Sequence, residues 1–354
     1  MKAIIPCAGR GKRLRPLTFT NSKPLIPIAN KPLVLYAIDK LKAVGIEEIG
    51  IIVSDNTRDM QDVLGDGKKQ GVHISYIPQD HPLGIAHTIK VARTFLGDEP
   101  FIMYLGDNLL KQGLEEAVEN FHLHRPNGIL FVCPTTKPQL YGIAVIENER
   151  VVRLIEKPKD PPSNLAAIGI YILDPTIHSI IETLPPSARG EYEITDALQA
   201  LIDSGGRLEH FSLDGWWIDA GNPDDMVEAN RLVLQDLVPT MQGQIDERTE
   251  LRGTIAIGKG TIIENSAIRG PVLIGENCEI RNSFIGSFTS IGANTKVMNS
   301  EIEYSVIMEN CEIRHIEQRI DNSILGRNVK VTKTDRRPKS YKLVLSDESA
   351  AELR

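Results

Sequence analysis

Met1-Lys-Ala-Ile-Ile-Pro-Cys-Ala-Gly-Arg-Gly-Lys-Arg-Leu-Arg-Pro-Leu-Thr18 opens the chain, and Ser22-Lys23-Pro24-Leu25 follows shortly after. The apolar run from Ala3 to Pro6 reads as a short strand that feeds straight into a loop. That loop sets Gly9 and Gly11 among Arg10, Lys12, Arg13 and Arg15. Glycines let backbone N–H groups approach an anion and the cations neutralise it, so the loop suits a polyphosphate. Two familiar phosphate loops are excluded by spacing. The Gly-x4-Gly-Lys-Ser/Thr pattern is missing, and Leu14 stands where the dinucleotide fingerprint needs its third Gly. Taken alone, the stretch could also be a basic surface turn.

Outward from this loop, strand and helix patterns alternate. Ala3–Pro6, Glu48–Ser54, Val72–Ile77, Phe101–Leu105 and Gly128–Cys133 are short, apolar and rich in β-branched residues. Between them, Pro32–Val44, Thr57–Leu64, Ile85–Phe95 and Leu114–Arg125 carry apolar residues at helical spacing. This alternation predicts a doubly wound α/β sheet, in which ligands bind outside the carboxyl ends of the strands. The loops at Gly9–Arg15 and Gly106-Asp107-Asn108 both follow predicted strands and so should share that edge. From Gly142 to Asp174 the pattern turns β-rich, and we read this segment, on to about residue 215, as an insertion laid against the first half. A helix from Pro223 to about Leu237 then closes the domain.

After Gly253 the texture changes. Asn-Ser recurs at Asn265, Asn282, Asn299 and Asn322, at spacings of 17, 17 and 23. Apolar residues step by 5, 6 and 6 through Ile263, Ile268, Ile274, Ile280, Ile285, Ile291, Val297 and Ile302, several of them followed by Gly. A six-residue apolar repeat with Gly at the corners predicts a parallel β-helix of about four coils, with an added loop near His315–Gln318. Residues from Lys333 onward are polar and read as a tail. The domain limits are therefore 1–240, 241–332 and 333–354.

A chain of 354 residues is long enough for two domains. The net charge of −7 argues against a general nucleic-acid surface and makes the basic loop a local site. Cys7, Cys133, Cys278 and Cys311 form no Cys-x-x-Cys pair, so neither zinc nor a disulfide framework is suggested. They read as thiols in a reducing cytosol. No signal peptide and no membrane-length apolar run is seen, so the cytoplasm is the expected location and no membrane partner is expected.

Gly9-x-Gly11-x-Arg13-Leu14-x-Pro16-x-Thr18 with Lys23-Pro24 resembles the signature of the sugar-1-phosphate nucleotidyltransferases. Further matches follow in order: Gln79-x-x-Pro82-x-Gly84-Ile85-Ala86, Leu105-Gly106-Asp107-Asn108, Tyr141-Gly142, Glu156-Lys157-Pro158 and Ala167-x-Gly169-x-Tyr171. Arg189-Gly190-Glu191-x-Glu193-Ile194-Thr195-Asp196 and Gly215-Trp216-Trp217-Ile218-Asp219-Ala220-Gly221 complete the set. The pattern covers the whole chain and is most similar to the long-type glucose-1-phosphate thymidylyltransferases. The resemblance implies a Rossmann-like nucleotidyltransferase domain followed by a left-handed β-helix, and transfer of a nucleotidyl group from dTTP to glucose 1-phosphate.

By motif match, the resemblance gives Gly9, Gly11, Arg13 and Lys23 to the triphosphate, and Gln79 and Gly84 to the pyrimidine. It gives Asp107 and Asp219 to Mg2+, and Lys157 and Arg189 to the phosphate of the sugar phosphate. Tyr141, Gly142, Glu156, Gly169 and Tyr171 fall to the hexose. Hard carboxylate oxygens suit Mg2+, which keeps several waters and bridges substrate phosphates. Read without the resemblance, Asp107 could cap a helix, Asp219 could be a turn acid, and Lys157 would sit on an exposed proline-rich loop. Trp216 and Trp217 read as core packing, and none of the eight histidines receives a role.

Two departures bear on substrate. Lys12 stands where the family usually has Thr, and Pro24 where many thymidylyltransferases have Gln. UTP with glucose or N-acetylglucosamine 1-phosphate is therefore an open alternative. A bifunctional acyltransferase and a non-catalytic nucleotide-sugar sensor are weaker ones, since only His315 falls in the repeats and the metal carboxylates are both present. The flat coil faces point to a homo-oligomer.

Overall fold

In the computed structural model, which describes residues 1–20, 22–54, 57–333 and 347–352, the first strand is buried on both sides. Ala3, Ile4 and Ile5 are all fully buried, as a central parallel strand requires. The sheet strands are β1 (Lys2–Pro6), β2 (Glu48–Val53), β3 (His73–Pro78), β4 (Phe101–Tyr104), β5 (Gly128–Pro134), β6 (Gly142–Glu147), β7 (Arg150–Glu156), β8 (Leu165–Leu173) and β9 (Leu208–Ser212). They form one nine-stranded sheet in the order β3-β2-β1-β4-β8-β5-β9-β7-β6. The first four are parallel; β8 runs antiparallel to both β4 and β5.

Successive β1 side chains point to opposite faces, and each face has its own apolar layer. Ala3 and Ile5 join helices α1 (Leu33–Ala43), α2 (Thr57–Leu64) and α5 (Glu115–His124), whereas Ile4 joins α3 (Ile85–Val91), α6 (Thr176–Thr183) and α7 (Ile194–Asp203). The helix expected over Ile85–Phe95 is interrupted at Ala92, whose ψ of 0° tightens the turn, and it resumes as α4 (Arg93–Leu96).

The segment expected as an insertion laid against this sheet enters it instead. Its longest strand, β8, is threaded into the centre between β4 and β5, and its apolar sequence meets the burial such a position imposes. The ladder from β8 to β5 shifts register between Ala167 and Tyr171, and Gly169 lies in that bulge with φ of +75°. A Cβ at Gly169 would stand 2.6 Å from Leu105 Cδ1.

The chain forms two compact units. One comprises Met1–Arg10, Ser22–Leu25 and Leu33–Asp219; the other comprises Gly11–Asn21, Ile26–Pro32 and Ala220–Arg354. In the second, α8 (Pro223–Leu234) starts with Asn222 accepting the Asp225 N–H and Pro223 in the first turn. Fully buried Asn230 on α8 donates to Phe288 O and accepts from Ala29 N.

From Thr240 to Thr332 the second unit is a parallel β-helix of three faces with six, six and five strands, more than the expected four coils. Its arrangement is that of the left-handed hexapeptide helix. Ile257 pairs with Ile274, Ile291 with Ile307 and Ile302 with Ile320, steps of 17, 16 and 18 residues. All eight apolar positions of the repeat, Ile263 to Ile302, are fully buried inside the coils.

The Asn-Ser pairs have a specific job. Asn265, Asn282 and Asn299 turn one corner at positive φ, a conformation Asn tolerates well. Each following Ser accepts the N–H of the coil above, Ser283 N to Ser266 Oγ and Ser300 N to Ser283 Oγ. His315 continues this stack, and its coil carries the longer loop expected near residues 315–318. Asn322 turns the next corner, above Tyr304, which explains the odd spacing of 23. Of the polar tail expected from Lys333, residues 334–346 and 353–354 lie outside the described residues. Among the described residues no helix is long and apolar enough to cross a membrane.

Candidate active site

Because β1 and β4 are parallel neighbours, Gly9 and the Gly106–Asn108 loop leave the same sheet edge. A Cβ at Gly106 would lie 2.9 Å from Cys7 Sγ, so Gly is needed where the loops pass. Beyond Asp107, Asn108–Leu110 pairs antiparallel with Trp217–Asp219, and the register sets Asp219 opposite Asn108. Two acids remote in sequence therefore face one point. Lys23 occupies it, with Nζ 2.6 Å from Asp107 Oδ2 and 3.3 Å from Asp219 Oδ1. Burial alone would lower the Lys23 pKa, but the two carboxylates outweigh it and hold the ammonium above its ordinary value.

A buried amide anchors the first carboxylate. Asn108 donates from Nδ2 to Asp107 Oδ1 at 3.0 Å and accepts from Trp217 Nε1 at 2.5 Å. Trp217 meets the Tyr141 ring edge-on at 5.2 Å between centroids. Trp217 thus does more than the core packing expected of it. The paired carboxylates are a hard-oxygen donor set that one cation already bridges. Among the described residues no group of three or more His, Cys, Asp or Glu side chains forms a metal cage. One or two carboxylates are what a hydrated Mg2+ uses.

At the end of β3, Gln79 is 3% exposed, and its Nε2 lies 2.8 Å from His87 Nδ1. Gly84 has φ of +105°, and a Cβ there would lie 2.5 Å from Tyr192 O. Tyr192 N donates to Leu83 O and Tyr192 O accepts from Ala86 N, so the Gly84 turn is clamped on both sides.

Glu156, at the end of β7, gathers a mixed cluster. Lys157 Nζ and Arg189 Nη2 lie 2.9 and 3.1 Å from its Oε1, and Thr195 Oγ1 donates to Oε2 at 3.2 Å. Arg189 also donates from Nε and Nη2 to Oε1 of buried Glu193, which raises its pKa. Asp196 is shifted upward by burial and then by Glu193 and Glu156, against the pull of Arg189. Gly142 pairs with Glu156, and a Cβ there would lie 2.6 Å from Thr195 Cγ2. Tyr171 is buried in the apolar layer, its phenol pushed up by burial and by Glu156. Gly169 O accepts from Leu105 N at 3.0 Å and so braces the strand end before Asp107.

The phosphate-type loop is divided between the units. Gly9 and Arg10 belong to the first; Gly11 and Arg13 belong to the second. There Gly11 has φ of +56°, its carbonyl accepts from Thr18 Oγ1 and Leu14 N, and Arg13 is exposed while Leu14 is buried.

Residues 2–236 match the model of the nucleotidyl transferase family. The chain belongs to that family. Its similarity to the glucose-1-phosphate thymidylyltransferase of Streptomyces antibioticus is 42% identity over 355 residues, 100% of this chain and 99% of that one. A Bacillus anthracis structure with sucrose, assigned as a glucose-1-phosphate thymidylyltransferase, is 35% identical with a TM-score of 0.64, covering 68% of this chain and 98% of that. A UDP-glucose pyrophosphorylase complexed with UDP-glucose is 27% identical with a TM-score of 0.61, covering 67% and 99%.

Within this nucleotidyl transferase the first unit brings together Lys23, Asp107 and Asp219, and separately Glu156, Lys157 and Arg189. The sequence reading passed over Asn108 as a brace, Trp217 as its donor and His87 beside Gln79. The signal for His87 was its place in the first turn after Gly84, on a helix side that is half-buried.

Proposed function

We propose that the chain transfers the thymidylyl group of dTTP to glucose 1-phosphate, giving dTDP-glucose and pyrophosphate. The observation that carries this is the Lys23–Asp107–Asp219 centre, set in a chain alike over its full length to a thymidylyltransferase. A phosphate oxygen of the sugar phosphate attacks the α-phosphorus in line, and the bond from that phosphorus to the pyrophosphate oxygen breaks. The protein has to align two polyanions and neutralise them. Arg13, Gly9 and Gly11 take the triphosphate, and Lys23, kept charged by its carboxylates, supplies a cation to it. Asp107 and Asp219 would hold Mg2+, which would supply positive charge to offset that of the phosphates. Gln79 and Gly84 read the pyrimidine; Lys157 and Arg189 hold the phosphate of the sugar phosphate. Tyr141, Gly142, Glu156, Gly169 and Tyr171 shape the hexose site.

The catalytic domain spans 1–240, with the sugar site built mainly from residues about 140–215, and the β-helix of 241–332 joins copies into a homo-oligomer in the cytoplasm. A second reading replaces dTTP with UTP. It is favoured by Pro24 and by the likeness to the UDP-glucose pyrophosphorylase. Thymine and uracil differ by one methyl, a difference worth ~1–3 kcal/mol in a pocket. The test is pyrophosphate release with Mg2+ and each of dTTP, UTP, ATP, CTP and GTP against glucose 1-phosphate and N-acetylglucosamine 1-phosphate. Preference for dTTP with glucose 1-phosphate supports the first reading. Preference for UTP moves the base assignment, and no release with any pair overturns the enzyme reading.

A further inference from the structure

His87 stands in none of the roles assigned by motif, yet it holds the amide of Gln79. The His87 ring stacks on Tyr192, with centroids 6.0 Å apart and an interplanar angle of 23°. The same Tyr192 backbone clamps Leu83 and Ala86 on either side of Gly84. Ring and base-site turn are therefore held by one residue. Among the described residues, the side-chain hydrogen bond of Gln79 is the 2.8 Å contact from Nε2 to His87 Nδ1.

An amide can face a pyrimidine in two ways. Thymine and uracil offer an N3–H donor beside carbonyl acceptors, whereas cytosine offers an N3 acceptor beside an amino donor. Rotating the Gln79 amide by half a turn exchanges its donor and its acceptor, so an unfixed Gln would serve both bases. We propose that His87 is a positioning residue that fixes the Gln79 amide in the orientation suited to thymine and uracil and unsuited to cytosine. This rests on the proposed reading that Gln79 faces the pyrimidine.

The fixing requires His87 Nδ1 to accept, which it does only when that nitrogen carries no proton. Burial, then Lys90 on the same helix, then His81 on the preceding loop all press the imidazole below its ordinary value, so it is neutral at pH 7. Tyr192, packed on its face, brings an aromatic ring. When His87 is protonated, Nδ1 becomes a donor, and the amide turns its carbonyl oxygen to the ring.

The test is the ratio of kcat/KM for dTTP to that for dCTP, measured from pH 8 downward through and below the ordinary imidazole range. Titration of the substrate phosphates is common to both nucleotides and cancels in the ratio. In the wild type the ratio should fall as the pH drops through the lowered His87 value. His87→Phe, which keeps a ring against Tyr192, should reduce the neutral-pH ratio by roughly tenfold or more and remove its imidazole-range pH dependence. The loss should come through KM for dTTP more than through kcat. Gln79→Ala separates the two claims. If it collapses the ratio while His87→Phe keeps the wild-type ratio and pH profile, the His87 role is overturned and the Gln79 reading stands. If Gln79→Ala also leaves the ratio unchanged, the base reading itself is wrong and the inference falls with it. A wild-type ratio that is flat with pH overturns the inference without any variant.

Discussion

The β-helix and the nine-stranded sheet are both rich in parallel strands, but they gather their partners over very different distances along the chain. In the β-helix Ile274 stacks on Ile257 and under Ile291, each one coil away. Stability there is close to a sum over coils and their neighbours. In the sheet Tyr171 pairs with Met103 and Leu130, and Phe211 with Phe131. The site at its edge draws Lys23, Asp107 and Asp219 from three distant segments. Such a site exists only when the whole unit is folded. The contrast separates the two kinds of damage: changes inside the coils should cost stability, and changes at the sheet edge should cost chemistry.

The largest effect is expected at the carboxylates. Asp107→Asn or Asp219→Asn should lower turnover by at least ~10²-fold, the scale of lost electrostatic stabilisation, with little change in thermal melting. Near-normal turnover in both would break the metal assignment. In the other region, Ile280→Ala removes a fully buried side chain from the coil interior. Urea denaturation should show a loss of about 2–5 kcal/mol, while turnover per folded molecule stays at the wild-type level. A fall in turnover with stability intact would erase the contrast.

Smaller effects sharpen it. Trp217→Phe keeps an aromatic ring beside Tyr141 and deletes the N–H that holds Asn108. If Asp107 holds the proposed Mg2+, losing such a brace costs about 10–100-fold, and we expect the low end, read as a higher Mg2+ concentration for half-maximal turnover. An unchanged Mg2+ titration would reduce Trp217 to packing. Asn282→Ala places a Cβ-only residue at φ of +49° and removes the acceptor for Asn265 Nδ2. Its expected cost is ~1–2 kcal/mol in the same denaturation experiment, with activity unaltered.

The same contrast governs what could be read from the sequence. A coil's neighbour lies at a fixed offset, so the apolar steps from Ile263 to Ile302 located the interior directly. The odd spacing of 23 arises where a corner changes identity: Asn322 repeats the Asn-Ser wording but turns a different corner from Asn299. The strands of the first half were legible because central strands are continuous apolar runs. Strand β8 has the same character, but its position between β4 and β5 depends on long-range pairing that no local pattern encodes. At the site, Asp107 and Asp219 were singled out through their motifs. Their convergence needed the short ribbon that sets Asp219 against Asn108, and the roles of Asn108, Trp217 and His87 needed side-chain geometry.

The central claim is nucleotidyl transfer at the Lys23–Asp107–Asp219 centre, and following the label from dTTP tests it most directly. With Mg2+ and glucose 1-phosphate, α-phosphate label should appear in a sugar nucleotide and γ-phosphate label in pyrophosphate, with both transfers largely lost in Asp107→Asn. Gamma label in the sugar product, or full transfer by Asp107→Asn, would contradict it.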